Sequence, residues 1–531
     1  MEVYRNRTER LCPRVAASRL RLDAAAGDTE GVLLRAAELE GAYADAGSGE
    51  AARWAEVTEA AAAAFVARRP WQPGPCPEPR EGEVLWATPP EGFVHYGLAP
   101  RDYEAPARAL AGRAEEIVVV GVRTIGTALS AVVAATLRQW GAAAHRYTVR
   151  PGGHPFRRTL TLPAPLRDHV REAAPRGAWC CVVDEGPGLS GSTFLAVAEA
   201  LEAAGAPPER VMLMPSHRPD PTRLVAPEAA RRWGRFALEC AATPPSLEGV
   251  DVSGGRWRAA LLLPGAPWPA VWPETERRKA LASDGATLRK LEGRGPWSLP
   301  ARARAHALAA AGLGPAIAAT DAEGITYAVA GRPLGEAPPG LLPRAAEYLS
   351  FRARSFAAAV SPEDEARLEA MVRVNVEALG GALGGPLDLR AVVPCICDGR
   401  LALHEWVTRG DRLVKTDAIW HGDDHFFPGP CDLAWDVAGA VTEWNLTDAE
   451  AAAFTAEVAA RVHDPSLGSR LPAWKVAYAA SRAAHTFHAH RSTADAAEGA
   501  RLEALAARYR AALARSLTSL RCPPRTGARA C

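Results

Sequence analysis

A chain of 531 residues is longer than one ordinary core fills, and it is expected to divide into roughly two to four domains. Apolar residues make up 48% and charged residues 23%, a globular balance that excludes a disordered polyelectrolyte. The formal net charge of +1 gives no electrostatic reason for binding nucleic acid or an acidic membrane, and no stretch reaches the ~20 apolar residues that span a bilayer.

In chain order, residues 1–80 read as a helical N-terminal segment, with helical periodicity over 31–44 and 50–68. The run PWQPGPCPEP at 70–79 cannot continue a helix and reads as a linker, and a short strand is expected at 83–87. From there short apolar strands alternate with helices: strands at 116–121, 144–150, 179–183 and 211–214, and helices at 128–140 and 193–204. This alternation predicts an α/β domain over 81–262 with a parallel sheet covered on both faces. A Pro- and Trp-rich segment at 262–273 marks the next boundary, and 274–516 reads as an α+β domain. In it, strands at 286–290 and 325–330 flank a helix at 301–311, and long helices dominate from about 340, interrupted by a β-like and loop region at 392–431. Residues 517–531 form a polar tail.

The ten cysteines include no CxxC pair, and the chain starts without a charged-then-apolar leader. Reduced thiols and a cytoplasmic location are therefore the expectation, with Cys395 and Cys397 in a buried strand.

The first candidate site is CCVVDEGPGLSGSTF, residues 180–194. An apolar strand delivers the carboxylates of Asp184 and Glu185 to its carboxyl end. The following glycines permit close backbone approach to an anion, Ser190, Ser192 and Thr193 offer hydroxyls, and the next helix points its free N–H groups at the same place. No Lys follows the last glycine, so this is not a Walker A loop. The pattern resembles the type I phosphoribosyltransferases. The resemblance covers roughly 85–225 and implies that phosphoribosyl pyrophosphate is bound with Mg²⁺ and ribose 5-phosphate passed to an acceptor. By position, Asp184 and Glu185 would hold the ribose, Ser190, Gly191, Ser192 and Thr193 the 5-phosphate, and the loop of Arg123, Thr124 and Gly126 the pyrophosphate. The Arg-rich insertion at 151–165 sits where that family has a mobile closing loop. Four residues separate the acidic pair from SGST where the family usually has three, which leaves a non-catalytic nucleotide or phosphoribosyl sensor as the alternative.

The second candidate site lies in 277–515. ATLRK ends a strand at Lys290, GDRLVKTDA brings Asp417 to the end of another, and CDLAWDVAG carries Asp432 and Asp436 four residues apart, as on one helix face. This order resembles the aminoglycoside phosphotransferase and choline kinase-like family. The resemblance implies ATP as phosphoryl donor, Lys290 on its phosphates, Asp417 on Mg²⁺, and Asp432 and Asp436 as supports. The family's H-G-D catalytic loop with its Asn is absent before Asp417. His404 and Glu405 stand there, so either they replace that loop or phosphotransfer is lost. The helix at 301–311 also lacks a glutamate to pair with Lys290. A third reading makes this domain alone an ATP-dependent small-molecule phosphotransferase. His421, Asp423, Asp424 and His425 have metal-ligand types, but a surface loop is an equal reading. His485, His488 and His490 read as a solvated polar helix face.

Overall fold

The computed structural model describes residues 1–2, 9–74, 76–243, 246–410, 412–420 and 429–521. The chain forms two compact units, one of Thr8–Ser246 with Gly293–Ser298, the other of Met1–Arg7, Leu247–Glu292 and Leu299–Cys531. The N-terminal helices, expected to stand apart, belong to the first unit, and the expected boundary at 262–273 falls inside the second.

The first unit opens with helices α1 (Pro13–Ala25), α2 (Thr29–Asp45) and α3 (Glu50–Val66). The α/β part follows as β1 (Glu116–Val122), α4 (Ile125–Gln139), β2 (Ala143–Val149), α5 (Ala164–Ala173), β3 (Trp179–Val183), α6 (Ser192–Ala203), β4 (Val211–Met214) and β5 (Ala237–Leu238). The sheet is parallel throughout, in the order β2-β1-β3-β4-β5. Strand alternation divides its core in two. Val118, Val120 and Val182 pack with α5 and α6 on one face, while Ile117, Val119 and Cys181 pack with α4 and α2 on the other. Helices α1–α3 then pack on the outer side of α4 through Ala131, Val132 and Ala135. All residues 125–137 of α4 are thus buried, which explains a helix that is small and apolar all round.

The second unit begins with an antiparallel sheet in the order β6-β7-β8-β10-β9, made of β6 (Val250–Asp251), β7 (Lys279–Leu281), β8 (Thr287–Leu291), β9 (Ile317–Thr320) and β10 (Gly324–Ala328). Helix α7 (Ser298–Ala310) joins β8 to β9. Helices α8 (Leu341–Ser355) and α9 (Pro362–Ala378) come next, then the hairpin β11 (Trp406–Arg409) and β12 (Arg412–Lys415). Helices α10 (Ala434–Glu443), α11 (Asp448–Val462), α12 (Leu467–Ser492) and α13 (Ala496–Arg521) complete it. Among the described residues no helix is long and apolar enough to cross a membrane.

Candidate functional sites

In the first unit the chain leaves β1 for β2 on one side and returns to β3 on the other. The loops after β1 and β3 therefore diverge and open a crevice beyond the strand carboxyl ends, where open parallel sheets bind ligands. Arg123 and Thr124 follow β1 directly, and Asp184 and Glu185 follow β3, so two of the expected groups meet at this point. Arg123 Nε and Arg150 Nε both donate to Asp45 Oδ1, at 2.9 and 2.8 Å, and Arg150 also donates to Thr124 Oγ1 at 3.1 Å. Asp45, the last residue of α2, carries no signal in the sequence because it lies some eighty positions away in a helical segment.

Burial pushes the Asp184 carboxyl up to about 7, against a hydrogen bond from the Glu185 N–H and the charge of Arg150. Glu185 Oε2 accepts the Gly92 N–H at 2.8 Å, and Tyr103 donates to the Asp184 carbonyl at 2.7 Å. A Cβ on Gly92 would lie 2.8 Å from the Glu185 carboxyl carbon, so this backbone approach requires glycine.

Three expectations need correction here. Gly126 lies within α4, and a Cβ on it would meet the Val183 carbonyl at 2.5 Å, so its glycine serves helix–strand packing. Ser190 and Ser192 do not form an open cradle: both hydroxyls donate to the Pro155 carbonyl, at 3.1 and 2.5 Å. Gly191 caps α6 at φ +68°, with Thr193 half-buried in the first turn. The insertion supplying Pro155 is a β-hairpin, Gly152–His154 with Arg157–Thr159, closed further by Arg158 on the Gly153 carbonyl.

In the second unit, a cleft of about 170 Å³ is lined by Lys290, Glu292, Tyr327, Arg400, His404, Glu405, Lys415 and Asp417 among others. Lys290 at the end of β8 pairs directly with Asp417, which follows β12 and is 127 positions away. Asp417 has φ +53°, a left-handed backbone that a non-glycine residue adopts at a cost on the order of 1–3 kcal/mol and that recurs at functional sites. A glutamate near Lys290 comes from the residue directly after β8 rather than from α7. Glu292 stands two residues after Lys290, 3.8 Å from its Nζ, and accepts hydrogen bonds from Trp420 at 2.8 Å and Tyr327 at 3.2 Å. Strand alternation puts positions 290 and 292 on one face, a signal present in the letters RKLE. Burial lowers the Lys290 pKa less than Asp417 and Glu292 raise it, so the ammonium keeps its charge.

Glu405 is buried and ion-paired with Arg400 and, at 2.8 Å, with Lys415. Lys415 also reaches Asp398 at 3.3 Å, and Asp398 accepts the Tyr348 hydroxyl. Burial lowers His404 to about 4, so its imidazole is neutral near pH 7, and its ring stacks on Trp257 at 5.7 Å. Asp432 and Asp436 do not share a helix face. Asp432 precedes α10 and accepts the Val392, Val393 and Ala434 N–H groups, backbone donors that a position within the helix would not reach. Asp436, in α10, accepts the Asp398 and Gly399 N–H groups at 2.7 and 2.9 Å and so fixes the segment leading to His404. Burial and the neighbouring Asp398 raise its carboxyl. The His421–His425 cluster lies outside the described residues. His485, His488 and His490 lie in α12, where His488 faces the Met1 carbonyl and His490 the Gly499 carbonyl.

No protein-family model matches the chain, and no curated protein matches it. Among solved structures it is similar to choline kinase LicA from Streptococcus pneumoniae, with 16% identity over 46% of this chain and 89% of that one, TM-score 0.32. A choline/ethanolamine kinase family protein from Mesorhizobium loti aligns at 17% identity over 50% of this chain and 98% of that one, TM-score 0.30. Choline kinase from Cryptosporidium parvum Iowa II aligns at 9% identity over 46% and 87%, TM-score 0.31.

Proposed function

We propose that the cleft of the second unit binds a nucleoside triphosphate with Mg²⁺ and transfers its terminal phosphoryl group to a small acceptor. The observation that carries this reading is the meeting of Lys290 and Asp417 from distant strands inside one cleft. Phosphoryl transfer is largely charge neutralisation and positioning, and a lysine beside a half-exposed strand-terminal aspartate is the minimum equipment for both. The donor set fits Mg²⁺, which takes one or two carboxylates and completes its shell with phosphate oxygens and water: of the carboxylates lining the cleft, Asp417 is the most exposed. When bound, the ion would neutralise charge on the phosphates and orient the terminal group.

Lys290 would release Asp417 to the metal and take up phosphate oxygens, with Glu292 holding the ammonium in place. The acceptor oxygen then forms its bond to phosphorus as the bridging P–O bond breaks. Its proton passes to His404, whose pKa near 4 gives it the base strength of a carboxylate. Glu405, neutralised by Arg400 and Lys415, shapes the floor.

Calorimetric titration with MgATP tests the reading. Binding is expected in the wild type, weakened roughly 10- to 100-fold in Lys290→Met, the loss of a charged hydrogen bond of about 1.5–3 kcal/mol. Transfer from γ-labelled ATP to a panel of small alcohols is expected to vanish in Asp417→Ala. No MgATP binding, or binding indifferent to both substitutions, sinks it.

A second reading is favoured by a separate observation, the placement of Arg123, Asp184 and Glu185 at the switch point of the parallel sheet. This unit would bind phosphoribosyl pyrophosphate, its ribose hydroxyls on the acidic pair and its pyrophosphate on Arg123. Transfer of ribose 5-phosphate to an acceptor is then the finer claim, and sensing without turnover its alternative. Binding lost in Asp184→Ala, with pyrophosphate released, supports transfer; binding without release supports sensing.

A further inference from the structure

At the amino end of the first unit's sheet, strand alternation lines up a group that neither crevice uses. Glu116 opens β1, and His145 and Tyr147 on β2 stand beside Val118 and Val120 on the face covered by α5, which contributes His169. One ligand atom from each of Glu116, His145 and His169 falls within 4.8 Å of the others. His169 Nε2 lies 3.2 Å from Glu116 Oε1. Two ligands about 2.0–2.1 Å from a tetrahedral zinc ion are themselves ~3.3 Å apart, so this pair already stands at ligand spacing.

The second nitrogen of His169 has its own partner. Nδ1 lies 2.9 Å from the Tyr147 hydroxyl, the kind of outer hydrogen bond that fixes the tautomer and aim of a metal-binding imidazole. The two imidazole rings meet edge to face at 4.6 Å, with His145 exposed to solvent, so an ion has a way in. Arg176 donates to both oxygens of Glu116 at 2.9 and 2.8 Å, and those bonds leave further lone pairs on the carboxylate.

We infer that Glu116, His145 and His169 form a divalent transition-metal site, with Zn²⁺ as the fitting ion and a fourth position open to water. Two imidazoles and one carboxylate suit zinc rather than Mg²⁺ or Ca²⁺, which take oxygen ligands. The site lies six residues along β1 from Val122, ~20 Å from the crevice, so its work is to pin α5 to β1 and β2 rather than to touch a substrate.

The test is titration of the chelator-stripped full chain with ZnCl₂, and with Co²⁺ read by its visible absorption. One equivalent with a tetrahedral Co²⁺ band is expected in the wild type, absent in His145→Ala and His169→Ala. Tyr147→Phe, which keeps all three ligands, is expected to bind 10- to 100-fold more weakly. His145 is exposed, so its substitution leaves the fold intact, checked by circular dichroism. A wild type without the Co²⁺ band, or an equivalent that survives both histidine substitutions, overturns the inference.

Discussion

Asp184 shows most clearly what a single residue costs and offers. Its ordinary carboxyl value of 3.8 rises to about 7 because the crevice desolvates it faster than the Glu185 N–H and Arg150 compensate. Below the ordinary value both folded and unfolded chains hold the proton, and the group costs nothing. Between the two values only the folded chain holds it, so stability falls as pH rises and levels off above about 7. The loss amounts to a few kcal/mol at roughly 1.4 kcal/mol per unit. Urea unfolding of the first unit at several pH values between 4 and 8 is expected to show this slope, and Asp184→Asn to flatten it. An identical slope in the variant means that another group titrates. At this scale the letters carry chemistry but not aim. The strand, the acidic pair and Lys290 with Asp417 are legible because each stands at or just after the end of a strand-like run. The turning of Ser190 and Ser192 onto Pro155 is not, because a hairpin some thirty-five positions earlier decides it.

The elements of the sheet unit are fastened by contacts that periodicity cannot display. Arg146 of β2 and Glu40 of α2 are both buried and bonded at 2.8 and 2.9 Å, and Arg146 also donates to Ser130 Oγ and the Thr127 carbonyl of α4. The N-terminal helices are therefore tied to β2, the edge strand beside β1. Removing Glu40 leaves the buried guanidinium only the more distant Glu59 carboxylate, at 3.8 Å, so Glu40→Ala is expected to cost about 3 kcal/mol in denaturant unfolding. A loss below ~1 kcal/mol would place the pair in contact with water. Alternation of short apolar strands with helices made the parallel sheet readable. The place of α1–α3 on α4 was hidden, since an all-apolar, alanine-rich helix looks alike whether a sheet or other helices cover it. The split of Asp432 from Asp436 was hidden for a similar reason: four-residue spacing fits a helix face, and only the backbone donors at Val392 and Val393 reveal a helix entrance.

Across the whole molecule, two units with separate sheets carry two candidate sites of opposite design. One offers a carboxyl raised to about 7 and an arginine at a switch point, the other a lysine–aspartate ion pair in a cleft. A ligand that binds only a folded unit stabilises that unit by about 2.7 kcal/mol at a hundredfold excess over its dissociation constant. Differential scanning calorimetry of the full chain is therefore expected to resolve two components, as multidomain chains do. MgATP is expected to raise one and phosphoribosyl pyrophosphate with Mg²⁺ the other. Asp417→Ala should abolish only the first shift, and Asp184→Ala only the second. If MgATP raises a component in the wild type and phosphoribosyl pyrophosphate raises none, the phosphoribosyl reading falls and the cleft stands alone. If each substitution cancels both shifts, the two sites do not act as independent ligand sites, and the division of labour drawn from their chemistry is wrong.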